Sequence, residues 1–292
     1  MHISLLGTGL MGVSLARRLA ECGHRVRIWN RTLEHALTLE DEHIEVKVDA
    51  ACAVEGANVV ILTLSNATAI NAVLALPGVL HALSGSVLVQ MGTISPQQSR
   101  ALASSLEAAG VAYLEAPVLG SRPEAFKGKL QVMAGGKPEV FDRCLPLLRD
   151  CGSEPMLIGP VGQAAALKLA LNQLIAALTT GFALSLGLVR QEGVSVDVFM
   201  DILRGSALYA PTFDKKLDRM ISGDYSSPNF PLKHLLKDVD LCRDVAVSDG
   251  LEAGVLDAIA RLLEVGIAGG HGDDDYSSLA VVVDPYEAQH GG

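Results

Sequence analysis

Two polar side chains interrupt an apolar stretch near the middle of the chain: Lys168 and, four residues on, Asn172. From Leu169 to Val189 no residue carries a charge. On a helix, a spacing of four puts both side chains on one face, one turn apart. An ammonium beside such a run must find a partner, a cavity or a lowered pKa. The pair therefore suits proton transfer at a carbonyl or hydroxyl oxygen. For that work the lysine pKa must fall from about 10.4 toward about 7–8, through desolvation or a cationic neighbour. The alternative for Lys168 is a side chain at a helix end that extends its head to water.

A second chemistry is written at the start. The short apolar segment His2–Leu6 runs directly into GTGLMG, where Gly7, Gly9 and Gly12 form G-x-G-x-x-G with Leu10 and Met11 inside it. Between a strand and a helix, the first glycine permits a tight turn, the second lets a pyrophosphate approach the backbone, and the third lets helix and strand pack closely. The helix N-terminus offers N–H groups to the phosphates. The next strand, Arg25–Asn30, ends in Asn30, Arg31 and Thr32, where an NAD-preferring protein usually carries an acidic residue. A cation and two small polar groups there point to NADP(H), because guanidinium grips a 2′-phosphate in bidentate fashion.

Three further stretches carry polar groups at the ends of strands or helices. GTISP (Gly92–Pro96) places Thr93 and Ser95 to cap a helix. EAPVLGS (Glu115–Ser121) follows a strand, and Val118, Leu119, Gly120 and Ser121 offer backbone N–H groups and a hydroxyl to a carboxylate. NFPLKHLLKDVDL (Asn229–Leu241) brings Phe230, Lys237 and Asp238 together in sequence, with Pro231 marking Phe230 as the lead-in to a helix. Taken alone, Lys237–Asp238 reads as an exposed charge pair of little energetic value.

These residues need a frame to hold them. Strands are expected at Ile44–Val48, Asn58–Leu64, Ser86–Gly92, Val111–Val118, Leu130–Ala134 and Met156–Ile158, with helices around Leu33–Glu40, Ala67–Leu76, Pro96–Ala109 and Pro138–Asp150. Continuous apolar strands alternating with helices imply a parallel sheet covered on both faces. The loops after its strands, at Ser65–Asn66 and at Gly92–Ser95, border the cofactor in that arrangement. After Gly193 the pattern is helical. The fold is thus α/β: an N-terminal Rossmann-type doubly wound sheet (1–160) followed by an all-α domain (161–292), joined by a long helix. The acidic, glycine-rich GGHGDDDYSS from Gly269 reads as a solvated end.

Composition narrows the classes. The chain has 292 residues, enough for two cores, with 49% hydrophobic and 19% charged residues. Its 23 basic and 33 acidic residues give a net charge of −10, which argues against a nucleic-acid partner. Five scattered cysteines show no zinc or CxxC spacing, so no metal is expected, and reduced thiols in a cytoplasmic protein are. The apolar opening lacks a basic n-region and does not read as a targeting segment. Leu169–Val189 is long enough to cross a bilayer, yet it contains Asn172, Gln173, Thr179, Thr180 and Ser185 and has no companion span, so it is expected inside protein.

With GLMG, NRT, K-x-x-x-N and the late KD in this order, the chain resembles, nearly end to end, the β-hydroxyacid dehydrogenase family. That family includes 3-hydroxyisobutyrate dehydrogenases, tartronate semialdehyde reductases and glyoxylate/succinic semialdehyde reductases. NRT and GSRPEAFKGKL (Gly120–Leu130) are most similar to the NADPH-dependent glyoxylate/succinic semialdehyde branch. The resemblance implies cofactor contacts at Gly7, Gly9, Leu10, Met11, Gly12, Asn30, Arg31, Thr32, Leu64, Ser65, Thr93 and Lys237. It implies substrate contacts at Thr93, Val118, Leu119, Gly120, Ser121, Phe230 and Asp238, a catalytic Lys168 and an orienting Asn172. The family's usual loop reads D-x-P-V-S-G-G; here Leu119 stands in place of a serine, which either leaves carboxylate binding to the backbone and Ser121 or turns the pocket to a less polar substrate.

The implied activity is NADPH-dependent reduction of a small aldehyde acid to the hydroxyacid, or the reverse oxidation, by a homodimer or homotetramer. Two alternatives compete: an imine reductase on the same fold, which usually lacks the lysine, and a non-catalytic NADP-binding protein.

Overall fold

The computed structural model of the chain describes residues 1–284. The chain forms two compact units, one from Met1 to Lys168 and one from Leu169 onward. Residues 285–292 of the expected second domain lie outside the described residues.

The first unit opens with β1 (His2–Leu6), α1 (Leu10–Glu21), β2 (Arg25–Trp29), α2 (Leu33–Leu37), β3 (Ile44–Val46), α3 (Ala50–Val54) and β4 (Val59–Leu62). It continues through α4 (Ala67–Leu74), α5 (Val79–Ala82), β5 (Val87–Gln90), α6 (Pro96–Ala108) and β6 (Ala112–Glu115). Then come β7 (Val118–Leu119), α7 (Arg122–Phe126), β8 (Gln131–Gly135), α8 (Pro138–Cys151) and β9 (Met156–Gly159). The sheet order is β3-β2-β1-β4-β5-β6-β8-β7, with β9 added on β8.

From β3 to β6 every pairing is parallel, and Ile3 at the centre faces Val26 on one side and Val59 on the other. The chain winds outward from β1 to β3 and then returns to β4. The carboxyl ends of β1 and β4 are therefore a topological switch point, where open α/β sheets bind ligands. Every residue of β4 is fully buried, as expected of a strand covered on both faces. Alternate side chains feed two cores: Leu5, Ile61 and Val89 pack with Leu15 and Leu19 of α1, whereas Leu6, Leu62 and Leu88 pack with Ile70 and Leu102.

The run of parallel pairings is interrupted after β6 and resumes only between β8 and β9. β8 runs antiparallel to β6, and β7 antiparallel to β8. The single strand expected at Val111–Val118 breaks at Pro117, which has no N–H to give to a ladder. Its carbonyl accepts instead from the Met133 N–H at 3.0 Å, and the chain turns back along β8.

The second unit is helical: α9 (Gln163–Gln191), whose first residues belong to the first unit, then α10 (Val196–Arg204), α11 (Pro211–Ser222), α12 (Leu232–Ser248), α13 (Gly254–Gly266) and α14 (Leu279–Val283). Along α9 from Leu169 the buried positions include Leu169, Asn172, Ala176, Thr179, Ala183 and Leu186, with Phe182 and Gly187 beside them. Their alternating spacings of three and four make one stripe. The other side is not covered: Leu174, Leu184 and Leu188 are 49%, 62% and 61% exposed. The helix is thus half-buried in a single chain, although long and apolar enough to cross a membrane.

The acidic segment after Gly269 is not the solvated end expected from its composition. Asp275 is fully buried, and both its oxygens accept from Lys216 Nζ, at 2.7 and 2.9 Å. The Lys216 ammonium also sits 4.1 Å from the centre of the Tyr276 ring.

Candidate active site

The turn between β1 and α1 has the geometry the glycines were expected to serve. Gly7 has φ +105°, a region that L side chains avoid, and Gly12 packs so closely that a Cβ there would lie 2.0 Å from the Gly7 carbonyl oxygen. Beyond Gly9 the space is open: a Cβ would meet no atom within 4 Å. Gly9 caps α1 with no side-chain hydrogen bond, and the first turn holds no acidic residue. The first N–H groups of α1 therefore face an open approach, as a dinucleotide pyrophosphate requires. Leu10 is exposed there, and Met11 half-buried.

Asn30, at the end of β2, works inward. Its Oδ1 accepts from the Thr8 N–H at 3.1 Å, and its Nδ2 donates to the Thr32 carbonyl at 2.8 Å. Arg31 and Thr32 are exposed beside it. Asn30 thus ties the glycine turn to the loop that displays the guanidinium. After β4, Thr63 Oγ1 donates to the Gly7 carbonyl at 2.6 Å, and Leu64 and Ser65 follow at the same edge, half-buried and exposed respectively.

After β5, the buried side chain of Gln90 braces the next loop: its Oε1 accepts from the Gly92 N–H at 2.6 Å and its Nε2 donates to the Gly92 carbonyl at 2.9 Å. Of the two expected caps, Ser95 is the one used, in a capping box with Gln98. Thr93 lies outside the cap and lines a small cleft shared with Gln90, Gly92, Glu115, Pro117 and Lys168. Lys168 is half-buried there.

Glu115, the first residue of EAPVLGS, has a larger part than the loop motif alone implies. It is 2% exposed. Its Oε1 accepts from the N–H groups of Gly162, Ala164 and Ala165 at 2.7, 2.9 and 3.3 Å, and Oε2 accepts from the Ser99 hydroxyl. A carboxylate thus sits on the N-terminus of α9 and ties that turn to the first unit.

The loop expected to bind a substrate carboxylate is arranged differently. Val118 is buried, Leu119 is half-buried and Gly120 is exposed. Ser121 donates both its N–H (2.8 Å) and its hydroxyl (2.5 Å) to Glu124 Oε2. Of the donors predicted for a ligand, the two of Ser121 are held by a carboxylate of the chain itself.

In the second unit, Asn172 and Asp238 are each 2% exposed, and Asn172 Nδ2 donates to Asp238 Oδ2 at 2.5 Å. Asp238 Oδ1 pairs with Lys237 Nζ at 2.8 Å. The charge pair expected to be exposed therefore has a half-buried lysine and a buried aspartate, and the aspartate is bound to the asparagine. Asn172 Oδ1 has no hydrogen-bond partner among the described residues. An amide anchored by its nitrogen leaves an acceptor for an ammonium or a hydroxyl. Phe230 lies outside α12, ahead of Pro231, and its ring contacts are with His234 and Tyr276.

Comparison with known proteins agrees with this layout. Residues 2–159 match the family model described as the NAD binding domain of 6-phosphogluconate dehydrogenase, and residues 162–283 match that described as NAD-binding of NADP-dependent 3-hydroxyisobutyrate dehydrogenase. Glyoxylate/succinic semialdehyde reductase 1 of Arabidopsis thaliana is 29% identical over 289 residues, 97% of this chain and 98% of its own. An uncharacterized oxidoreductase of Synechocystis is 30% identical over 96% of each chain. The crystal structure of 3-hydroxyisobutyrate dehydrogenase from Salmonella typhimurium shares the fold, with a TM-score of 0.86 at 23% identity over 97% of this chain and 99% of that one. The glycine turn, the switch point and the lysine-bearing helix are those of an NAD(P)-dependent oxidoreductase, and the chain belongs to the β-hydroxyacid dehydrogenase family.

Proposed function

We propose that the protein reduces a small aldehyde acid with NADPH, with succinic semialdehyde and glyoxylate as the substrate type, or oxidises the corresponding hydroxyacid. The observation that carries this reading is Lys168 in the cleft beside Thr93, followed one turn later by an asparagine whose amide oxygen is buried and unfilled. Bound NADPH supplies the hydride. Lys168 stabilises the charge that grows on the carbonyl oxygen and delivers the proton. Asn172, anchored by Asp238, uses its oxygen to hold the ammonium or the substrate hydroxyl. In this reading Asp238 orients Asn172, rather than serving only as a substrate contact, and Lys237 neutralises Asp238 as well as reaching the cofactor.

The test is NADPH oxidation against succinic semialdehyde, glyoxylate, tartronate semialdehyde, a neutral aldehyde and a cyclic imine, with NADH in parallel. Fast turnover of an aldehyde acid with NADPH supports the reading. Turnover of none of the carbonyl compounds, with cofactor tightly bound, would leave the non-catalytic alternative.

NADP preference is read from Arg31 and Thr32, with Asn30 shaping the loop. A charge-assisted hydrogen bond contributes about 1.5–3 kcal/mol. Arg31→Ala is therefore expected to raise the KM for NADPH about tenfold to a hundredfold while moving that for NADH less than twofold. Equal losses with both cofactors would place Arg31 elsewhere.

One observation favours a second reading, a less polar carbonyl or imine: Leu119 borders the loop, and Glu124 holds both donors of Ser121. A substrate carboxylate must compete with Glu124 for them. Glu124→Ala is expected to lower the KM for succinic semialdehyde about threefold to tenfold, leaving the neutral aldehyde unchanged. An unchanged KM for both would remove Ser121 from carboxylate binding.

The uncovered leucines of α9 support assembly as a homodimer or homotetramer. Light scattering that gave a monomer mass would oppose it. Five free cysteines support a cytoplasmic location, which cell fractionation tests.

A further inference from the structure

A buried carboxylate is costly unless its oxygens are satisfied, and Glu115 meets this condition with groups that all bear on the same place. Three of its partners are the N–H groups of Gly162, Ala164 and Ala165, among those that the start of a helix leaves without intrahelical acceptors. The negative charge also lies at the positive end of the helix dipole. On its other side, Ser99 donates to Oε2 and stands 2.8 Å from the Tyr113 hydroxyl, so the carboxylate plane is fixed from both ends. Gly135 leaves the room it needs: a Cβ there would lie 2.3 Å from Glu115 Oε1. Lys168 follows Ala165, the last N–H held, by less than one helical turn.

We infer that Glu115 is a positioning residue for Lys168: it pins the first turn of α9 to the end of β6, so that the ammonium is held in register with the Thr93 loop. Without it, the start of a 29-residue helix has no such fixed acceptor, and Lys168 moves with whatever the helix end does. Displacement of a reacting group by about 1 Å costs on the order of a hundredfold in rate. The inference rests on the reading of Lys168 as the proton donor.

The test compares Glu115→Ala, Glu115→Gln, Lys168→Ala and the Lys168→Ala/Glu115→Ala double variant, with NADPH and succinic semialdehyde as probes. Glu115→Ala is expected to lower kcat about a hundredfold, with the Kd for NADPH within twofold of wild type. Glu115→Gln keeps an amide oxygen for the three N–H groups and is expected to retain kcat within about fivefold. The double variant should be no slower than Lys168→Ala alone, because residues acting through one group are not additive. If Glu115→Ala fails to fold, Ser99→Ala leaves the carboxylate in place but frees one of its oxygens, and is expected to lower kcat about threefold to tenfold at unchanged NADPH affinity.

Normal kcat in Glu115→Ala, or in Ser99→Ala where that variant stands in for it, overturns the inference. So does parallel loss of kcat and NADPH binding, Gln no better than Ala, or an additive double variant. A fully active Lys168→Ala would instead overturn the reading of the lysine. A dead Lys168→Ala beside a normal Glu115→Ala removes only the role of Glu115.

Discussion

Lys168→Ala is expected to lower kcat by about a hundredfold to ten-thousandfold, the range a positioned general acid contributes. The Kd for NADPH should stay within twofold, because the groups proposed to face the pyrophosphate and the 2′-phosphate lie on the β1–α1 turn and after β2. Alanine is a strong helix former, so α9 should tolerate the change, and Glu115 still holds its first turn. Single-turnover measurements with saturating NADPH separate the outcomes. A slow hydride-transfer step at normal cofactor affinity supports proton donation by Lys168. Near-normal turnover would refute it, and a loss of NADPH binding equal to the loss of rate would make Lys168 a cofactor contact.

How much of this site the sequence displays depends on how local each requirement is. Gly7, Gly9 and Gly12 are legible because a tight turn, an open approach and a close packing are each demands on one residue's backbone. The buried runs of β4 and β5 announce a parallel sheet for the same reason. Partners far apart in the chain leave no such mark: Glu115 meets Gly162 across 47 residues, Asn172 meets Asp238 across 66, and Lys216 meets Asp275 across 59. Short elements are equally silent. A two-residue strand such as β7 cannot state its direction, and α3, α5 and α7 are too short to show a helical period. Ser-x-x-Glu is a capping-box signature that the sequence does display at Ser121–Glu124, and the structure uses it there, whether or not a substrate carboxylate later competes for Ser121.

The largest expected effect on stability lies far from this chemistry, at Asp275. Burial alone would push its carboxyl up. Hydrogen bonding with Lys216, the lysine charge, and the hydroxyl and N–H of Ser277 outweigh burial and hold it below the usual carboxylate range. A carboxyl whose folded pKa is depressed stabilises the fold fully above its unfolded value, about 3.9, and loses that contribution as pH falls through the folded value. At neutral pH the pair is thus intact. Asp275→Ala leaves the Lys216 ammonium buried without its counter-ion and is expected to cost about 3–5 kcal/mol in urea unfolding. Lys216→Met should cost less, since the thioether can pack on the Tyr276 ring and Ser277 still donates to the carboxylate. Replacing both by apolar residues should recover much of the loss, because desolvation of two charges offsets most of their attraction. The same carboxylate accepts from the Asn229 N–H at 3.4 Å, just ahead of Phe230 and α12. A stability loss near zero in Asp275→Ala would mean that water replaces the pair, and that the lead-in to the helix bearing Asp238 is held by the Asp275 N–H bond to the Tyr225 carbonyl instead.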